Sequence, residues 1–176
     1  MIINKEYSIR KAIPSEFDEI GTLMVETYSQ LEGFPKPSEQ PNYYKLLASV
    51  GEFADKPKTE LLVAISPEGQ IGGAVVYFGD IQYYGSGGIA TQEKMASGFR
   101  LLAVSPSARG KGIGKLLTEA CISKAITDGN SQLIIHTTMA MQTAWKMYEH
   151  RGFKRSEDLD FMQGTLAVYG FRLLLR

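Results

Sequence analysis

The sequence predicts a mixed α/β (α+β) domain spanning residues 1–176, with a mostly antiparallel central sheet of six to seven strands and about four helices. Three observations set that class. Residues 60–66 (ELLVAIS) and 71–78 are apolar runs of strand length joined by Pro67-Glu68-Gly69-Gln70, so they read as an antiparallel hairpin. Residues 99–138 read strand, glycine-rich turn, helix, strand, and a unit of that size implies a parallel pair with a right-handed crossover. A length of 176 residues fits one domain.

The remaining elements follow in order. Residues 7–13 alternate, with Tyr7, Ile9 and Ile13 around Arg10 and Lys11, and form a strand that Pro14 ends. Ser15, with Glu16 behind it, reads as a helix N-cap; Phe17, Ile20, Leu23, Met24 and Tyr28 then recur at helical spacing. That helix runs out near Gly33, and Phe34-Pro35-Lys36-Pro37 is a break. A second helix covers 42–53, with Tyr43, Leu46, Leu47 and Val50 on one face. Gly72 and Gly73 weaken the start of the second hairpin strand and suggest a bulge there. Residues 79–97 lose regular patterning; Gly85, Gly87 and Gly88 beside Tyr83 and Tyr84 fit a functional loop or a tolerated surface insertion equally well. Beyond the crossover unit, 141–150 is helical with Gly152 as its C-cap. Residues 153–155 make a brief strand, and 165–175 ends the chain as a strand closing on FRLLL.

The crossover unit carries the chemistry. Its first strand, 99–104, stops at Pro106, and the turn holds Arg109, Gly110, Lys111, Gly112 and Gly114. A helix then opens, burying Ile113, Leu116, Leu117, Ala120 and Ala125 on one face. The first amides of a helix lack internal partners, and its dipole places partial positive charge at that end. Glycines there let an anion approach the backbone, and Arg109, Lys111 and Lys115 add charge. The spacing matches neither a kinase-type P-loop, since Leu116 follows Lys115, nor a GxGxxG dinucleotide fingerprint.

Composition narrows the rest. Nineteen basic residues balance nineteen acidic ones, so nothing calls for nucleic acid or an acidic membrane. The single cysteine, Cys121, lies in an apolar helix segment and reads as core. The N-terminal segment lacks a signal-peptide pattern and no apolar run has membrane-spanning length, so the expected location is the cytoplasm.

RGKGIG at 109–114 resembles the (Arg/Gln)-x-x-Gly-x-(Gly/Ala) signature of the Gcn5-related N-acetyltransferases, the GNAT superfamily. A second segment, TAWKMYEHRGFKR at 143–155, resembles that family's A-x-x-x-Y-x-x-x-G-F pattern through Ala144, Tyr148, Gly152 and Phe153. The resemblance implies a GNAT fold with its parallel pair splayed at the cofactor site. It also implies acyl transfer, usually acetyl, from acetyl-coenzyme A (CoA) to a primary amine by direct attack, without a metal. On that resemblance residues 109–115, Ile113 among them, hold the CoA pyrophosphate, and the backbone of Leu102, Ala103 and Val104 pairs with pantetheine and faces the thioester oxygen. Tyr148 stands at the general-acid position, the alternative being a tyrosine that only packs. His136, twelve residues earlier, stands where some members have a glutamate base; it fits a base or a histidine paired within the sheet. Met141 stands near a place where members often have an asparagine. Trp145 and Phe153 read as packing and His150 as an exposed helix end.

The acceptor side, by the same resemblance, falls on residues 28–37 and 80–97. Tyr28, Glu32 and Tyr84 are its candidate contacts, and Glu26 and Glu93 are further acidic candidates. That surface suits a small amine or a peptide N-terminus. The alternative function is a sensor or regulatory module that binds acetyl-CoA without turnover, and a homodimer through the terminal strands is compatible with the apolar C-terminus.

Overall fold

Alternation of apolar side chains becomes strand, and 3.6-residue recurrence becomes helix, along nearly the whole chain. The computed structural model describes residues 6–175. Its elements are β1 (Ser8–Lys11), α1 (Phe17–Ser29), α2 (Pro41–Ala48), β2 (Thr59–Ile65), β3 (Ile71–Phe78), β4 (Ala96–Val104), α3 (Ile113–Thr127), β5 (Gln132–Thr137), α4 (Gln142–Arg151), β6 (Lys154–Arg155), β7 (Phe161–Gln163) and β8 (Leu166–Leu174). The strands hydrogen-bond in the order β1-β2-β3-β4-β5-β8-β6, with β7 pairing β8 off that path. β4 and β5 run parallel, whereas β1–β2, β5–β8, β6–β8 and β7–β8 are antiparallel. The fold is thus the expected mixed sheet with four α-helices; the three-residue β7 brings the strands to eight.

The chain forms two compact units. The first comprises Met1–Val76 and Leu101–Ala120. Here α1 buries Ile20, Leu23, Met24 and Tyr28. Gly21 lets α1 approach the Ala48 carbonyl so closely that a Cβ would lie 2.2 Å from its oxygen. Ser15 does not cap α1: a 3-10 turn (Pro14–Glu16) precedes the helix, and the Glu16 carboxylate accepts from the Ile13 amide at 3.0 Å. The second helix is shorter than its apolar pattern, because after Ala48 the chain tightens into a 3-10 turn, Val50–Asp55. The hairpin turn closes as expected, with the Ser66 amide donating to the Gln70 carbonyl and Gly69 left-handed at φ 84°. Gly73 admits the Ala103 carbonyl and the Ile113 and Leu117 side chains of α3.

The second unit comprises Tyr77–Arg100 and Cys121–Arg176. β8 is its spine, pairing residue for residue with β5 from Gln132↔Leu174 to Thr137↔Tyr169. Trp145 packs on Tyr169 and Phe171, with centroids 5.4 and 5.0 Å away. Cys121 is fully buried, as its apolar setting predicts. Buried Tyr77 hydrogen-bonds Ser97 (3.1 Å) and donates to Asp128 (2.7 Å), fixing the turn between α3 and β5. The irregular stretch 79–95 holds two 3-10 turns, Ile81–Tyr83 and Ala90–Gln92. Its later part is tied down by Arg172, which meets Glu93 and Asp158 at 2.8 Å each.

Gly170 tests this packing. A Cβ at that position would lie 2.3 Å from the Leu159 Cβ. Gly170→Ala is expected to destabilise the protein by about 1–3 kcal/mol through overpacking, read as a lowered denaturant midpoint; an unchanged midpoint would show that the turn carrying Leu159 yields freely.

Candidate active site

The glycine-rich turn is built by the strand before it and the helix after it. Beyond β4 the Ser105 amide donates to the Gly72 carbonyl at 2.8 Å, and a 3-10 turn, Pro106–Ala108, buries Ala108. The chain then emerges: Arg109, Gly110, Lys111 and Gly112 are exposed. Gly110 and Gly112 are left-handed, at φ 79° and 77°, a region that disfavours any side chain. A Cβ at either would meet nothing within 4 Å, so the requirement is conformational and the space above the backbone is open. Ile113 and Leu117, 1% and 0% exposed, anchor the start of α3.

The backbone of this turn is unusually rich in donors. α3 makes its first backbone hydrogen bond from Leu116 to Gly112 (3.0 Å). Among the described residues, the amides of Gly110, Gly112, Ile113, Gly114 and Lys115 donate to no backbone carbonyl. Successive amides around left-handed residues make an anion-binding concavity, and the helix dipole reinforces it. The turn is therefore suited to a phosphate or diphosphate.

β4 departs from a regular strand just before this turn. Leu101 is left-handed, φ 61°, in mid-strand and only 7% exposed. Gly72 and Gly73 lie within β3, and a strand irregularity is also present on β4 at Leu101. The parallel ladder with β5 runs only from Ala96↔Gln132 to Gly98↔Ile134, so Leu102, Ala103 and Val104 lie beyond it. The Tyr28 hydroxyl donates to the Leu102 carbonyl at 2.9 Å. Tyr28 itself is buried in an aromatic cluster with Phe34 and Tyr43, so it braces β4. Glu32 is exposed on the turn after α1, where Lys36 caps the helix by donating to the Ser29 and Leu31 carbonyls at 2.9 and 3.2 Å.

In the second unit α4 carries Tyr148 inward. Its ring is 5% exposed and rests on Phe99 and Phe153, 5.9 and 5.6 Å between centroids. Among the described residues its hydroxyl has no hydrogen-bond partner. Burial raises its pKa above the ordinary 10, and the neighbouring Cys121 and Tyr84 raise it further, so the phenol stays protonated. Gly152, left-handed at φ 106°, closes α4 as its C-cap, and Phe153 behind it is core. Met141 precedes α4, its thioether accepting from the Thr137 hydroxyl. His150 is exposed at the helix end.

His136 is paired on both ring nitrogens. Nε2 lies 2.9 Å from the Leu159 carbonyl, which only accepts, so Nε2 carries the proton. Nδ1 then accepts from the Tyr84 hydroxyl, also at 2.9 Å. Burial lowers the imidazole pKa below 6.5, and Arg100 adds to the depression, against opposing pulls from the Leu159 carbonyl and Asp160. Tyr84 is fully buried, its ring seated against Gly98, where a Cβ would clash at 2.7 Å. In this arrangement neither nitrogen of His136 faces an incoming ammonium, and the Tyr84 hydroxyl is likewise engaged. Sequence reasoning passed over Leu101 and Arg100, whose guanidinium donates to the Tyr84 carbonyl at 2.9 Å. Gly98, inside an otherwise apolar strand, was the one local hint that a ring packs there.

With this geometry in hand, comparison with known proteins places the chain. Residues 50–169 match the sequence model of the acetyltransferase (GNAT) domain. The chain belongs to that family. Among solved structures it resembles an acetyltransferase of the GNAT family from Staphylococcus aureus Mu50, with TM-score 0.74, 15% identity, and 97% and 99% of the two chains covered. It also resembles YncA of Salmonella typhimurium, solved with acetyl-CoA as its cofactor (TM-score 0.67, 15% identity, 98% and 95% covered). A third is the spermidine/spermine N-acetyltransferase SpeG of Vibrio cholerae (TM-score 0.64, 17% identity, 98% and 94% covered). At these identities the likeness is one of fold. No curated protein sequence matches the chain significantly. Among the described residues no helix is long and apolar enough to cross a membrane.

The brace under β4 is directly testable. Tyr28→Phe removes one hydrogen bond and is expected to lower stability by about 0.5–1.5 kcal/mol, measured by urea unfolding; no loss would mean that the ring alone supports the strand.

Proposed function

We propose that this protein is an N-acetyltransferase that moves the acetyl group of acetyl-CoA to a primary amine by direct attack. The observation that carries the reading is that the amides of Gly110, Gly112, Ile113, Gly114 and Lys115 donate to no backbone carbonyl among the described residues, around two left-handed glycines. A diphosphate suits it: a Cβ at Gly110 or Gly112 would meet nothing within 4 Å, and Arg109, Lys111 and Lys115 supply charge. Hydrogen bonds to a charged partner contribute roughly 1.5–3 kcal/mol each. Leu102, Ala103 and Val104 offer backbone groups to the pantetheine arm, and one of their amides polarises the thioester oxygen. The bound thioester supplies the activated acetyl group. What remains for the protein is to orient it, donate a proton to the departing sulfur and receive a deprotonated amine.

Tyr148 is the proton donor in this reading. Its support is twofold: a position matching the family pattern, and a protonated hydroxyl with no competing partner among the described residues. A phenol whose pKa lies above 10 gives up its proton only where negative charge develops next to it, so its contribution is a hydrogen bond that strengthens as the thiolate forms. Proton removal from the ammonium falls to water, because the accepting nitrogen of His136 is already engaged by the Tyr84 hydroxyl. The acceptor is received on the side of Glu32 and the aromatic cluster of Tyr28, Phe34 and Tyr43, with Tyr84 supporting residues 79–95. The charge of Glu32 suits a cationic amine, as does the spermidine/spermine acetyltransferase similarity.

The test is steady-state thiol release from acetyl-CoA over a panel of primary amines, paired with CoA binding by calorimetry. Turnover with at least one amine is expected; CoA binding with none would leave the sensor function, and no binding would remove both. Tyr148→Phe is expected to lower kcat by roughly 10²-fold with CoA affinity unchanged; unaltered kcat would exclude the acid role. Gly112→Val forces a branched side chain into left-handed backbone, which costs about 1–2 kcal/mol, and is expected to weaken CoA binding about tenfold or more.

A further inference from the structure

Residues 79–95 are held at several points, two of them through side chains of the segment itself. Near their end Glu93 meets Arg172. Near their beginning the hold is a chain of hydrogen bonds: Tyr84 hydroxyl to His136 Nδ1, and His136 Nε2 to the Leu159 carbonyl. One imidazole thereby joins three segments distant in sequence: β5, Tyr84 at the end of the 3-10 turn Ile81–Tyr83, and the turn Glu157–Leu159. The packing around it is close. The Phe161 ring lies 5.1 Å from the imidazole, and the same ring leaves no room for a Cβ at Gly87, which would come within 2.8 Å. Gly98 and Gly170 make the space for Tyr84 and Leu159 respectively.

We propose that His136 is a positioning residue, a neutral latch that fixes the Tyr84 end of residues 79–95 for the acceptor side, and that a second proton on its ring opens the latch. The acceptor part rests on the acetyl-transfer reading; the latch itself does not. The charges around the ring decide the sign. Tyr84 faces it from just after the 3-10 turn, and from β4 comes Arg100, a cation that opposes a second one. Asp160 faces it from the turn before β7, but that carboxylate is already paired with Arg155 at 2.8 Å and receives the Gly170 amide at 2.7 Å. β7 contributes only Phe161, and β8 sets Gly170 opposite. An imidazolium has protons on both nitrogens, so Nδ1 no longer accepts. The Tyr84 hydroxyl, fully buried, then loses its acceptor beside two cations. The fold therefore holds the ring neutral, and the unfolded or opened chain takes the proton more readily. Stability of the closed latch is complete above the ordinary histidine value of 6.5 and falls as pH drops below it.

The experiment is amide hydrogen exchange of residues 81–88 in the full chain, between pH 5 and 8, corrected for chemical exchange. No substrate is needed, so its outcome is independent of the activity reading. Opening is expected to rise as pH falls below 6.5, by at most about tenfold per pH unit, with exchange at Glu93 less affected. Nitrogen NMR is expected to show the Nε2–H tautomer at neutral pH. Tyr84→Phe, which keeps the ring in place, is expected to raise exchange at all pH values, flatten the pH step, and raise the KM for the amine while CoA affinity stays unchanged. A pH-independent exchange profile or an Nδ1–H tautomer would overturn the latch. Raised exchange in Tyr84→Phe with an unaltered KM would overturn its service to the acceptor.

Discussion

Backbone donors without acceptors are the constraint around which the first unit is arranged. Five amides between Gly110 and Lys115 find no backbone carbonyl, and such groups are tolerated only facing solvent or an anion. Keeping them together requires two left-handed residues in close succession, which only glycine adopts without penalty. It requires α3 to begin at a fixed place, which the buried Ile113 and Leu117 ensure. It also requires β4 to deliver the chain from a fixed direction. That role falls to the Ser105–Gly72 bond, to the closely packed Gly73 and to Tyr28, whose hydroxyl holds the Leu102 carbonyl.

The second unit handles its polar groups differently. It satisfies many of them in pairs, buried or partly buried: Tyr77 with Ser97 and Asp128, Tyr84 with His136, His136 with Leu159, Arg155 with Asp160. Tyr148 and Thr138 depart from this: neither hydroxyl has a hydrogen-bond partner among the described residues. A protonated and unengaged hydroxyl is what the proposed donor role requires. Rigidity supports that role, since Phe99 and Phe153 hold the ring on two sides.

Much of this was legible in the sequence because it is local. The glycine turn, the helix it opens, the hairpin turn with left-handed Gly69 and the Gly152 C-cap each depend on residues within a few positions of one another. Periodicity likewise located α1, β3 and β5 to within a residue or so at most ends. What stayed hidden depends on distance along the chain. Tyr28 meets Leu102 across 74 residues and Tyr84 meets His136 across 52, and neither tyrosine carries a local sign of its partner. Leu101 has no sequence mark either, since leucine has no preference for the conformation it adopts there. The histidine was read as a base or a sheet-paired residue, and its two bonds favour the second reading while extending it to the loop. β7 was overlooked because three residues are too few to show alternation.

The central claim is that main-chain nitrogens grip a diphosphate. The direct measurement is an amide NMR titration of Gly110, Gly112, Ile113 and Gly114 with acetyl-CoA and, separately, with pantetheine, which lacks the diphosphate. The account predicts large downfield shifts at these amides with acetyl-CoA and little change with pantetheine. Equal shifts with both, or none with either, would contradict it.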